Sequence, residues 1–214
     1  SYPTPTAIDV FYTNSEGYLI TPEVLPYGEY SLVEVQAPYG YALDKTPVAF
    51  SVSSENAEKE NSLTIVKVEK QNTAQKGKIS VRKTGDIFTS VATASSAYTN
   101  ENGEMIVNPT TYTPVFADGD LSGAVFQVIA VEDIVTLDGT VRASAGDVVA
   151  EITTDENGYA ETEPLYLGKY EVREIKAPYG YVLNNEPKDV ELTYAGQEFE
   201  VRDTVDTEFE NEYQ

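Results

Sequence analysis

Apolar and polar residues alternate along most of this chain in short runs. The runs are separated by turn signals such as Asn102-Gly103, Asp138-Gly139 and Pro178-Tyr179-Gly180. Alternation with period two places successive side chains on opposite faces of a strand. Val, Ile, Tyr and Thr fill the runs, as expected for pleated, half-buried strands. No stretch carries the 3.6-residue periodicity of an amphipathic helix, and no apolar run approaches the ~20 residues of a spanning helix. The pattern predicts an all-β protein.

The alternation also repeats on a larger scale. Residues 28–47 read GEYSLVEVQAPYGYALDKTP and residues 168–187 read GKYEVREIKAPYGYVLNNEP, with ten identities in twenty positions at a constant offset of 140. Upstream, TNSEGY (13–18) resembles TDENGY (154–159), shifted by one, and both look like hairpin turns with Gly at positive φ. Downstream, Asn72 follows Tyr41 at nearly the spacing at which Asn211 follows Tyr181. The chain is therefore read as two copies of one module, 1–75 and 76–214. The boundary falls near Gln75-Lys76-Gly77, just before the strand Lys78–Lys83, and so short a linker predicts end-to-end domains with limited freedom.

The copies differ in length. The second has about 90 residues before Glu174 and the first only 33 before Glu34, so the first is expected to lack its first strands: either the sequence starts inside the domain or another segment or chain supplies them. The second carries an insertion at about 86–120, read as a hairpin around Asn102-Gly103. It is either a decoration of one end of the domain or a surface for a ligand or partner.

Three strands of the second copy carry a polar residue at the parity of their apolar set. The inward set is Ile79, Val81 and Lys83 in one strand, Tyr170, Val172 and Glu174 in another, and Phe209, Asn211 and Tyr213 in the last. Taken singly, each has an ordinary explanation, since a Glu or Lys at a strand end reaches solvent and an Asn near a strand end belongs to a turn. Taken together, at the first, a middle and the last strand, they suggest chemistry. Desolvation lowers the pKa of a buried Lys and raises that of a buried Glu. A neutral ε-amine is a nucleophile, the Asn amide offers an electrophilic carbon, and a protonated Glu could bond its carbonyl oxygen and relay protons to the leaving amine. The product is a Lys–Asn isopeptide bond and ammonia, with proximity supplying much of the rate and no cofactor required.

Composition narrows the alternatives. There is no Cys and no His, which removes disulfides, thiolate sites, Ser-His-Asp chemistry and most zinc sites. A formal net charge of −22 opposes nucleic acid and anionic membranes and suits a soluble, self-repelling surface protein. Asp155-Glu156-Asn157-Gly158 and Asp118-Gly119-Asp120 lack the spacing of a calcium loop and are explained by turn chemistry, so no metal is expected. Neither end carries a signal peptide or sorting signal, and targeting segments are expected outside residues 1–214.

These residues carry a resemblance. The chain resembles the B-type repeat domains of Gram-positive collagen adhesins and the SpaA-like pilin domains. Their E-box stands here as Tyr170, Glu174, Ala177-Pro178-Tyr179-Gly180-Tyr181 and again as Tyr30, Glu34, Ala37-Pro38-Tyr39-Gly40-Tyr41. Ile79 to Thr84 matches the first-strand Lys pattern, Gly123-Ala124-Val125-Phe126 an internal element, and Asn211 the closing Asn. The resemblance implies two tandem prealbumin-like (transthyretin-like, Ig-like) β-sandwiches. It also implies a Lys83–Asn211 cross-link with Glu174 as its catalyst. The first copy keeps Glu34 and Asn72 but has no Lys or Arg before Lys45, so Asn72 has no first-strand Lys partner in this chain.

The function expected is a stalk or spacer of a cell-wall-anchored surface adhesin or pilin of a Gram-positive bacterium. It would contact neighbouring domains of the same protein and would not act as a turnover enzyme. The alternative is an adhesin module that binds a host protein or glycan through the insertion or a domain face.

Overall fold

The computed structural model describes residues 5–55, 58–60 and 63–213. Every regular element among them is a strand. The chain forms two compact units, one of Ser1–Gln75 with Tyr194–Glu200, the other of Lys76–Thr193 with Val201–Gln214. The chain thus leaves the second unit for seven residues and returns to it.

In the first unit the strands are β1 (Gly28–Leu32), β2 (Tyr41–Ala42), β3 (Val48–Val52), β4 (Glu58–Glu60), β5 (Leu63–Ile65) and β6 (Thr73–Ala74). They form antiparallel pairs β1–β3, β2–β6 and β4–β5. Residues 5–27 hold turns but no strand. The segment Tyr194–Glu200 is held within this unit by bonds to both ends of the E-box loop. The Ala37 N–H donates to Gln197 Oε1 at 2.9 Å and the Leu43 N–H to the Gln197 carbonyl at 2.8 Å. The buried Gln75 amide donates to the carbonyls of Gly196 and Phe199 at 2.7 and 2.8 Å.

The second unit is a sandwich. Its strands are β7 (Lys76–Gly77), β8 (Ile79–Ala94), β9 (Ala97–Thr99), β10 (Met105–Val107), β11 (Thr111–Asp120), β12 (Val125–Ala130), β13 (Ile134–Val135), β14 (Val141–Ala143), β15 (Val148–Thr153), β16 (Tyr159–Glu161), β17 (Leu165–Tyr166), β18 (Gly168–Lys176), β19 (Lys188–Leu192) and β20 (Val205–Asn211). One sheet runs β11-β8-β16 with β20 joined to β8, and the other runs β15-β12-β18-β19. Ile79, Val81 and Phe209 from the first meet Phe126, Val128, Tyr170, Val172, Val190 and Leu192 from the second in one buried cluster. The first and last strands are parallel neighbours, with Val205 opposite Ile79 and Asn211 opposite Gly85.

The repeat holds at the level of register and hydrogen bonds. The pairs Gly28–Val52 and Leu32–Val48 of the first unit recur as Gly168–Leu192 and Val172–Lys188. The hydroxyl of Tyr30 donates to the Pro26 carbonyl and that of Tyr170 to Tyr166, both at the same offset of 140. The two Asn/Asp-Gly turns also match. Asn14 Oδ1 and Asp155 Oδ1 each accept from the backbone two and four residues on, with Gly17 and Gly158 at φ of 81° and 67°.

Three expectations change. The first strand does not stop at Lys83 but runs to Ala94, and with β11 it forms a long two-stranded ribbon whose tip is the β9–β10 hairpin around Asn102-Gly103. Phe88, Val91, Tyr112 and Met105 on this ribbon are exposed. Tyr213, expected inward, is half exposed because β20 ends at Asn211 and the alternation lapses there. Ser80, expected outward, is buried and donates to Asp206, because strands flank β8 on both edges at this level.

A candidate cross-linking site

Lys83 ends the inward series of β8, and Asn211 ends that of β20. Parallel pairing sets Phe209 opposite Lys83 and Asn211 opposite Gly85. The two functional side chains are thus diagonal neighbours on one face, within reach of a long side chain. Glu174 comes from the facing sheet. Beside it the β12–β18 register slips, because Val125 pairs with Lys176 and Phe126 with Glu174, leaving Ile175 over. Bulges of this kind re-aim side chains next to reactive sites.

Two glycines make the approach possible. A Cβ on Gly85 would stand 2.5 Å from the Asn211 carbonyl oxygen. Gly158, at positive φ, lies against the Lys83 carbonyl, and the Lys83 N–H donates to the Gly158 carbonyl at 2.7 Å.

The three side chains meet in the core, at 0%, 2% and 3% exposure for Lys83, Glu174 and Asn211. Lys83 Nζ donates a short hydrogen bond to Asn211 Oδ1. Asn211 Nδ2 donates to Glu174 Oε1 at 3.0 Å, and the same oxygen lies 3.6 Å from Lys83 Nζ. The ring of Phe209 lies 5.9 Å from the ammonium and packs at a tilt against Phe126, with centroids 4.8 Å apart, which shields the site from solvent. Burial pushes the Lys83 ammonium below its ordinary value of 10.5, against the pull of the Glu174 carboxylate. A buried charge needs this degree of satisfaction, and no buried side-chain polar atom among the described residues lacks a partner.

The sequence alone gave Glu174 two tasks, bonding the carbonyl oxygen and relaying a proton to the leaving nitrogen. The geometry presents it to the nitrogen, while the carbonyl oxygen is turned to Lys83. Glu174 Oε2 accepts from the backbone N–H of Asn184 at 2.7 Å, and Asn184 Nδ2 donates to the Glu210 carbonyl at 3.1 Å. Sequence reading passed over Asn184. Its signal was its recurrence as Asp44 at the offset of the repeat.

The first unit assembles the matching pair. Asn72 Nδ2 donates to both oxygens of Glu34 at 2.8 Å, and the Asp44 N–H donates to Glu34 Oε2 at 3.1 Å. Glu34 and Asn72 are only part-buried. Lys70, two residues before Asn72, is turned away to Asp44 Oδ2 at 2.8 Å and the Thr46 carbonyl at 2.7 Å. Its ammonium holds the Asp44 carboxyl well below the usual carboxylate range. Among the described residues no cluster of His, Cys, Asp and Glu is arranged to hold a metal, and no helix is long and apolar enough to cross a membrane.

The E-box recurs at a fixed offset, and in the second unit it stands on a two-sheet sandwich with Lys, Glu and Asn meeting in the core. The chain belongs to the SpaA prealbumin-like fold domain family, whose profile matches residues 4–67 and 116–207. It is thus an all-β protein with tandem prealbumin-like domains. The profile leaves out residues 68–115 and 208–214, and with them Asn72, Lys83 and Asn211. Over 50 residues the chain is 38% identical to the trypsin-resistant surface T6 protein of Streptococcus pyogenes serotype M6, spanning 23% of this chain and 9% of that protein. The Bacillus anthracis TIE protein shares the fold, with a TM-score of 0.52 and 23% identity over 88% of this chain and 26% of its own. The full-length major pilin SpaD from Corynebacterium diphtheriae gives a TM-score of 0.38 at 20% identity, over 65% of this chain and 30% of its own. The chain therefore spans a small part of each of these relatives.

Proposed function

We propose that this chain is a stalk module of a cell-wall-anchored adhesin or pilin, and that its second sandwich is stapled by an amide bond between Lys83 and Asn211. The contact of Lys83, Glu174 and Asn211 in a dry core carries the reading. Desolvation favours the neutral amine of Lys83. In the coupling, Nζ attacks Cγ of Asn211 and a C–N bond forms. The Cγ–Nδ2 bond breaks, and Glu174 passes one proton from the attacking amine to the departing nitrogen, which leaves as ammonia. The reaction runs once per molecule. Holding the groups in contact replaces a bimolecular encounter.

A staple between first and last strands suits a load-bearing module without cysteine. The matches to proteins named as pilins and surface proteins support the setting, with neighbouring domains of the same surface protein as partners. The first unit presents Glu34 and Asn72 in the same relation. Coupling there would take an amine from another segment or chain, since the neighbouring Lys70 is engaged elsewhere. Intact-mass measurement tests the central reading, with one ammonia fewer than the sequence mass expected. A mass equal to the sequence mass refutes it.

The exposed aromatic and aliphatic side chains of the β8–β11 ribbon favour a second reading, an adhesin that binds a host protein or glycan through this insertion. Host-ligand screening of the chain with and without residues 88–116 separates the two readings, because a pure spacer binds nothing that the ribbon's removal abolishes.

A further inference from the structure

The reaction proposed above uses one oxygen of Glu174, and the structure accounts for the other. Oε2 is held by the backbone N–H of Asn184 at 2.7 Å, which fixes the carboxyl plane and leaves Oε1 to face Asn211 and Lys83. Asn184 is itself tied twice. Its Oδ1 accepts from the Glu186 N–H at 2.9 Å, an Asx turn. Its Nδ2 donates at 3.1 Å to the carbonyl of Glu210, the residue before Asn211. One short side chain thus links the loop that orients Glu174 to the strand that presents Asn211.

The same device recurs in the first unit with different chemistry. The Asp44 N–H donates to Glu34 Oε2 and Asp44 Oδ1 accepts from the Thr46 N–H at 2.9 Å. A carboxylate cannot donate to a carbonyl, so the link to the Asn72 segment is made by the Lys70 ammonium on Asp44 Oδ2. An Asx turn alone explains the loop's shape. It does not explain why both copies carry that side chain on to the strand bearing the acceptor Asn, once by an amide and once by an ion pair.

We infer that Asn184 is a positioning residue for the Lys83–Asn211 coupling, latching the general acid–base Glu174 to the acceptor strand β20, and that Asp44 with Lys70 is the corresponding latch in the first unit. The inference rests on the cross-linking reading. Small misplacements of reacting groups cost about tenfold to a hundredfold in rate, and that is the loss expected when the latch is cut.

The test follows ammonia loss by intact mass after refolding the full chain, for wild type, Asn184→Ala and Asn184→Asp, with folding followed in parallel by circular dichroism. Asn184→Asp keeps the Asx acceptor for Glu186 but loses the donor to Glu210, so it preserves the turn while cutting the latch. Both variants are expected to fold and then couple at least about tenfold more slowly than wild type. Asn184→Asp keeps the wild-type circular dichroism spectrum while its coupling slows, a split that loss of loop structure would not produce. Coupling of Asn184→Asp at the wild-type rate overturns the positioning role alone. A wild-type chain that loses no ammonia overturns this inference together with the cross-link on which it rests.

Discussion

Replacing Lys83 with Met and Glu174 with Gln together asks what the staple contributes without leaving a lone charge in the core. Met fills the volume of the lysine stem. Gln keeps an acceptor for the Asn184 N–H and turns its amide to Asn211, whose own amide is free to turn over once the ammonium is gone. The residues joined lie 128 apart in sequence. Closing a loop of that length removes about 5 kcal/mol of chain entropy from the unfolded state. For a unit of about 130 residues, with an unfolding entropy of roughly 2 cal/mol/K per residue, this corresponds to a fall in Tm of roughly 15–20 °C. Without a bond the sign reverses, because exchanging a buried ion pair for neutral side chains of similar size is often neutral or stabilising. Differential scanning calorimetry of the two proteins decides between them. A double variant that melts with or above wild type refutes the staple, and a loss far below 5 kcal/mol refutes the entropic account of it.

Four further outcomes follow from the geometry. Glu174→Ala folds around an intact Lys83 and Asn211 but keeps its ammonia, read as a full sequence mass less only the side-chain change. The rate of ammonia loss in refolded wild type rises with pH along a limb below the ordinary lysine value of 10.5, since burial lowers the Lys83 pKa. By the same linkage the uncoupled Asn211→Ala protein gains stability as pH climbs from the lowered value towards 10.5, where the unfolded chain binds the extra proton, as denaturant titrations at a series of pH values would show. Gly85→Ala places a methyl group against the Asn211 carbonyl and is expected to destabilise by about 1–3 kcal/mol and to slow coupling, measured by chemical denaturation and by mass.

What could be read in the sequence follows from what alternation encodes. Lys83, Glu174 and Asn211 announced themselves because each continued an apolar series, and the sandwich buries those series as written. Tyr213 did not follow, because parity has meaning only while a strand continues and β20 ends at Asn211. The reach of β8 was hidden for a related reason. Residues 87–94 keep a strand-like composition after the core has ended, and nothing local marks that Phe88 and Val91 face solvent. Ser80 was misassigned because alternation reports the faces of an isolated strand and cannot register neighbours on both edges. The grouping of Tyr194–Glu200 with the first unit depends on contacts more than a hundred residues apart in sequence, which no local pattern carries. Asn184 was passed over because its bond to Glu210 is visible only once β20 is in place.

The parallel seat of β20 beside β8 has a consequence for the history of each molecule. Docking the last strand joins segments more than a hundred residues apart, and pairings between such distant segments are the slow steps of β-protein folding. A bond made at that seat certifies a finished fold, because a chain misassembled anywhere between the two strands does not bring its amine to the amide. It also alters every later folding event. A stapled domain that is forced open keeps its first and last strands tethered, so its longest-range pairing no longer has to be found by search. With the proposed bond in place, the first passage through folding would be slow and each return quicker, a form of memory written into a single covalent bond.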